Sequence, residues 1–191
     1  MKYFLKTAFT ICIICFSIFN TDLFGQEGKK NMIGVHAGLG ASSYGIPNVM
    51  GDAVRDMKRY NNIGIDYSRI LSTRWDFCSG FEYTYNGMTV RADDPTITRS
   101  TNDYLKMATI PAQFKFHLGK LVYLNGGMFL NFVSTSLTTY TSLGCGLGIG
   151  LEHEFDSGIV IELNPYIRRN GFITKYVYQQ LGFSLGAGYR F

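Results

Sequence analysis

From residue 143 to 151 the chain alternates strictly: Leu143, Cys145, Leu147, Ile149 and Leu151 are separated by Gly144, Gly146, Gly148 and Gly150. Period two sends the first set to one face of a strand and the second to the other. Glycine thins a sheet face where strands crowd together, as they do inside a small closed barrel. A phosphate-binding glycine loop is the competing use of such residues. It needs a following Lys-Ser/Thr, which is absent here.

The alternation recurs along the chain and predicts eight strands. The first covers about residues 32–42, with Ile33, Val35, Ala37, Leu39 and Ala41 on the apolar face. The second covers 62–71 (Ile63, Ile65, Tyr67), and the third 75–88 (Trp75, Phe77, Phe81, Tyr83, Tyr85). The fourth covers 104–118 (Ile110, Ala112, Phe114, Phe116), and the fifth 122–133 (Val122, Leu124, Met128, Leu130, Phe132). The glycine-rich segment is the sixth, and the seventh covers 158–168 (Ile159, Ile161, Leu163, Ile167). The eighth runs to the last residue, with Leu181, Phe183, Leu185, Ala187, Tyr189 and Phe191 aligned against Gly182, Ser184, Gly186, Gly188 and Arg190.

Connections alternate in length. Residues 72–74, 119–120 and 155–157 make tight turns, whereas 45–61, 91–103, 134–141 and 169–177 are longer. Short turns on one side and long loops on the other are the pattern of outer-membrane barrels, whose short turns lie in the periplasm. Together with a final strand ending on an aromatic residue, this predicts an all-β, eight-stranded antiparallel up-and-down transmembrane β-barrel of the bacterial outer membrane. No later segment has the roughly 20 continuous apolar residues of a spanning helix. The first long connection has no proline from 49 to 60 and has room for a helical turn.

The start of the chain reads as an export signal. Lys2 and Lys6 precede an apolar core at 8–19, which is short for a membrane span, and Gly25 is a small residue before a cut. The division is therefore a signal peptide at 1–25 and a barrel domain at 26–191. Removing Lys2, Lys6 and Asp22 from 18 basic and 14 acidic residues leaves 16 and 13, a mild +3 that does not suggest nucleic acid.

The second face of these strands carries His36, Asp66, Glu82, Thr84, Asn86, Gln113, Lys115, Asn125, Asn131, Glu162, Asn164, Arg168, Gln180, Ser184 and Arg190. In an eight-stranded barrel these side chains fill the lumen. The expected lumen charge cluster is Asp66, Glu82 and Glu162 paired with Lys115, Arg168 and Arg190, because buried charges persist mainly when paired. The rival reading is an ion path or a small ligand pocket. A soluble ligand-binding barrel predicts the reverse distribution, apolar inside and polar outside.

Chemistry has little foothold. His36, His117 and His153 form no triad spacing, no close His/Cys set has ligand spacing, and neither a metal nor a cofactor is expected. Cys78 alternates with the inward set and Cys145 with the lipid-facing set, so the two cannot pair; both are expected free and buried.

The segment Tyr104-Leu105-Lys106-Met107-Ala108-Thr109-Ile110-Pro111-Ala112-Gln113-Phe114-Lys115-Phe116, with Tyr123-Leu124-Asn125-Gly126-Gly127 and Gly188-Tyr189-Arg190-Phe191, resembles the PorT-like, porin-family outer-membrane β-barrel domain of Gram-negative bacteria. The resemblance implies location and fold and little chemistry. It also implies that the barrel-assembly machinery recognises the terminal strand, with Tyr189 and Phe191 as the assembly signal. The expected partners are then outer-membrane lipid, that machinery, and an extracellular or envelope protein of unknown identity. Three functions stand at this point: a non-enzymatic barrel acting structurally or through extracellular loops, a narrow channel or transport component, and a lipid-modifying barrel enzyme.

Overall fold

The computed structural model describes residues 30–45, 55–91, 100–136, 138–172, 174 and 177–191. The export signal and the middles of the first two long connections lie outside them. The described chain is one closed antiparallel barrel of eight strands in sequence order. The strands are β1 (Asn31–Gly45), β2 (Arg55–Ile70), β3 (Trp75–Arg91), β4 (Ser100–His117), β5 (Val122–Thr135), β6 (Thr139–Glu154), β7 (Ile159–Asn170) and β8 (Val177–Arg190).

Closure comes from the seam between β1 and β8, which pair from Met32 opposite Arg190 to Gly45 opposite Val177. Beyond that ladder, Asn31 N–H donates to the Phe191 carbonyl at 3.0 Å and Phe191 N–H to the Asn31 carbonyl at 2.8 Å. A sealed sheet has no unpaired edge, so it can present its backbone to lipid without leaving polar groups unsatisfied. In the tight turn between β6 and β7, Gly158 takes φ 88°, a left-handed conformation that glycine adopts without steric cost.

The wall inverts the usual burial rule. Ile63, Leu147, Leu181 and Ile167 are exposed on the outside, Leu147 by 69%. The interior holds Glu82, Lys115, Arg168, Asn131 and Gln180, all buried. This apolar outside and polar inside suits a lipid surround and excludes the soluble ligand-binding barrel. Trp75, Phe116, Tyr189 and Phe191 ring the end bearing the short turns, and Tyr83, Tyr85 and Tyr104 mark the far end of the β3–β4 wall. Such aromatic girdles belong at membrane interfaces.

Four strands begin well before the alternation predicts; β6 starts at Thr139 and β8 at Val177, so the connection expected at 134–141 shortens to 136–138. β2 starts at Arg55, where Arg55 to Met57 pair with Val90 to Met88, and β4 starts at Ser100, opposite Arg91. The helical turn allowed at 49–60 is thus replaced by strand from Arg55 onward. Above the membrane a ladder needs only backbone partners, so the polar sequence there carries no apolar alternation to reveal it. Cys78 is free and buried, whereas Cys145, expected to be buried, is free and exposed on the outer wall. A lipid-facing side chain is covered by membrane and not by protein.

Candidate functional site

The lumen is layered along the barrel axis, and its layers follow from which strands bring charge to each level. At the end bearing the short turns, Arg190 donates through Nη1 to Glu154 at 2.6 Å and through Nη2 to Glu152 at 2.7 Å. Lys115 extends this cluster, donating to Glu152 at 3.2 Å and also to Glu162. Its ammonium lies 4.7 Å from the centroid of the Tyr123 ring. Nearby, His117 Nε2 meets Asp76 at 2.9 Å. Placing glycine at 150 makes this layer fit, because a Cβ there would collide with the Tyr123 ring.

The middle layer is a relay from one side of the barrel to the other. His36 sits opposite Gly64 in the β1–β2 ladder, and the bare glycine leaves space for its imidazole. Its Nδ1 meets Asp66 at 2.5 Å and its Nε2 meets Glu82 at 3.2 Å. Glu82 in turn accepts from Arg168 Nη1 at 2.6 Å. The Arg168 guanidinium stacks over Tyr166 at 4.2 Å and Phe129 at 4.6 Å. Burial strengthens these contacts and also makes every unpaired member costly.

Toward the long-loop end, charge gives way to neutral hydrogen bonds. Tyr60 donates to Tyr166 at 2.9 Å, and Asn62 to the same oxygen at 3.0 Å. Thr109 donates to Asn131 at 2.8 Å, and Asn131 to Asn170 at 3.0 Å. Leu105, Met107, Val133 and Tyr178 then pack into an apolar cluster, with Tyr140 against it. An apolar plug at this level opposes a continuous water path. Below it lies a cavity of about 50 Å³ lined by His36, Asp66, Lys115, Glu162, Asn164 and Arg168 among others. That is room for a few water molecules. Tyr123, Asn125, Asn164 and Arg168, which line it among others, each carry a buried polar atom with no protein partner.

The six charged residues singled out from the sequence all reach the lumen, and two contacts join an acid to a base within that set. Glu82 joins Arg168, and Glu162 joins Lys115. Asp66 pairs with His36 and not with a lysine or arginine, because Gly64 lets the imidazole lie beside it. Arg190 pairs with Glu152 and Glu154, since it lies beyond the start of β7, beside Gly158. Sequence reasoning missed both of these acids by ending the sixth strand at Leu151; continuing the alternation would have turned them inward. It likewise passed over Asp76, next to outward Trp75, and the lumenal rings of Tyr60, Tyr123, Phe129 and Tyr166. Among the described residues, no group of three or more His, Cys, Asp or Glu is placed to hold a metal ion.

This geometry defines a small eight-stranded outer-membrane-type β-barrel with an ion-paired lumen. The fold is similar to that of the outer membrane protein OprG from Pseudomonas aeruginosa (TM-score 0.55, 10% identity, 87% of this chain and 98% of that one). It is similar to Neisserial surface protein A (TM-score 0.52, 16% identity, 84% and 97%). It is also similar to the attachment invasion locus protein Ail of Yersinia pestis, solved with the heparin analogue sucrose octasulfate (TM-score 0.51, 19% identity, 85% and 99%). The likeness is to this class of barrel and does not single out the porin family. No family model and no curated relative matches the chain.

Proposed function

We propose that the protein is a non-enzymatic barrel of the outer membrane that acts as a rigid mount for binding at its extracellular end. The observation that carries this reading is the lumen itself. Among the described residues its charges are ion-paired and Leu105, Met107, Val133 and Tyr178 pack together toward its long-loop end, which argues against a channel. Function then moves to the ends, and loops held on a rigid scaffold are where binding residues usually sit. The continuation of β2, β3 and β4 past the aromatic girdle supports this, because it carries the ends of those strands beyond the apolar wall. Ail, a barrel of similar fold, was solved with a sulfated ligand, which is consistent with such a role. The PorT-like resemblance fits the same reading, and on that resemblance Tyr189 and Phe191 would be the signal that the barrel-assembly machinery recognises.

The test replaces residues 46–54 and 92–99 with short Gly/Ser turns and follows folding and partner capture from intact outer membranes. A folded barrel that has lost its partner supports the proposal. A folded barrel that captures the same partner moves the binding site to the lumen or the periplasmic turns. Sustained single-channel current from the unaltered protein in planar bilayers would favour the narrow channel instead.

A further inference from the structure

Most of the acid described on strands lies inside the barrel wall. Asp66, Asp76, Glu82, Glu152, Glu154 and Glu162 lie on the inward register, whereas Asp56 stands opposite Thr89, two outward steps beyond Tyr85. The outward register near the long-loop end also carries cations. Arg59 and Lys106 are exposed there on β2 and β4. The register joins them through one row of neighbours: Asn61 stands opposite Tyr85, and Tyr85 opposite Lys106. Arg59 lies one outward step beyond Asn61. The Lys106 ammonium rests 4.8 Å from the centroid of the Tyr104 ring.

The level of this row is set by β3. Trp75 marks the interface at the short-turn end, and Tyr85 lies about one membrane-crossing strand away, ~9–11 residues. The row therefore sits at headgroup depth in the leaflet facing the long loops. Below it the wall is apolar, with Ile63, Tyr83 and Phe81 exposed. Lipid chains cover that part, and the cations stand where headgroups begin. Long basic side chains at this depth keep their stems on apolar surface and their heads among polar groups.

We propose that Arg59 and Lys106, with Asn61, Tyr85 and Tyr104 around them, form a binding site for the phosphate of a glycolipid headgroup in the outer leaflet. The guanidinium supplies a fork of donors to phosphate oxygens, and the ammonium a point charge beside them. Asn61 and the tyrosine hydroxyls add neutral donors that suit a sugar next to the phosphate. The inference rests on the membrane-spanning reading of the wall, not on loop binding, so either can fail alone.

Arg169 provides an internal comparison. It is exposed on the outer wall at the far end of β7, but its register neighbours are Cys145 and Gln179, with no tyrosine beside it. The experiment is native mass spectrometry of the folded protein released from nanodiscs carrying equal amounts of bis-phosphorylated lipid A, dephosphorylated lipid A and phosphatidylglycerol. The unaltered protein should retain the phosphorylated glycolipid over both competitors, and the Arg59→Gln/Lys106→Gln variant should lose about ten-fold of that preference. Arg169→Gln should keep it. Heat-modifiable mobility reports folding, and if the double variant does not fold, each single variant should show a partial loss. Equal retention of dephosphorylated lipid A would overturn the proposal, and so would an undiminished preference in a folded Arg59→Gln/Lys106→Gln variant. An equal loss in Arg169→Gln would reduce the site to general surface charge. Equal retention of phosphatidylglycerol would overturn the glycolipid assignment.

Discussion

Arg168 on β7 donates to Glu82 on β3 at 2.6 Å, although the two strands stand four places apart around an eight-stranded barrel. The contact spans the lumen and ties opposite walls together. Glu82 also receives His36, so one carboxylate joins three strands.

Removing either member should leave the other charged and buried. Glu82→Gln and Arg168→Met should each destabilise the barrel by about 3–5 kcal/mol, and the double variant by less than their sum. Folding titrations into lipid vesicles measure all four corners of that cycle. Additive losses would mean that the pair does not couple the walls.

Leu147 and Gly146 test the two faces of β6. Leu147→Arg puts a charge in the lipid and should cost about 2–4 kcal/mol near the midplane. From the alternation alone, Gly146→Ser is the milder change if there is room beside it. The structure leaves none: a Cβ at Gly146 would lie 2.8 Å from the Ile167 carbonyl, 2.8 Å from Arg168 Cγ and 3.0 Å from the Phe129 ring. Gly146→Ser should therefore also destabilise, by about 1–3 kcal/mol through overpacking. A neutral result in the same titration would show that Arg168 and Phe129 move aside.

The two cysteines report which medium each face meets. In folded protein in vesicles, a lipid-soluble maleimide should label Cys145, exposed on the outer wall, and leave buried Cys78 unmodified. A water-soluble maleimide should label neither until the barrel is unfolded. Labelling of Cys78 in the folded state by the aqueous reagent would reveal a lumen open to solvent.

Phe191 bonds twice to Asn31 across the seam that closes the sheet. Its removal should slow closure, lower the amount of heat-modifiable barrel in the outer membrane and increase degradation in the periplasm. Quantitative immunoblots of membrane fractions provide the measure. Unchanged insertion would separate the seam from assembly.

Period two was enough to place the wall, because each strand separates lipid from lumen and so must keep two chemically different faces. Ile63 against Asn62 and Leu147 against Gly146 show this directly in the letters. The alternation failed at strand ends, where its cause ended, as at the early starts of β6 at Thr139 and β8 at Val177. Above the membrane, residues 55–60 form strand with no apolar face to mark it, and at the turn the sixth strand ran on to Glu154 past its last leucine. The inward direction of Asp66, Lys115, Glu162, Arg168 and Arg190 was legible for the same reason. Their partners were not. Alternation assigns a face but no height or azimuth, and contacts across a lumen join residues dozens of positions apart. Which acid meets which base was decided by barrel register, by the bare glycines at 64 and 150, and by the tyrosine and phenylalanine rings filling the remaining space. Only closure of the sheet brings those residues to one level.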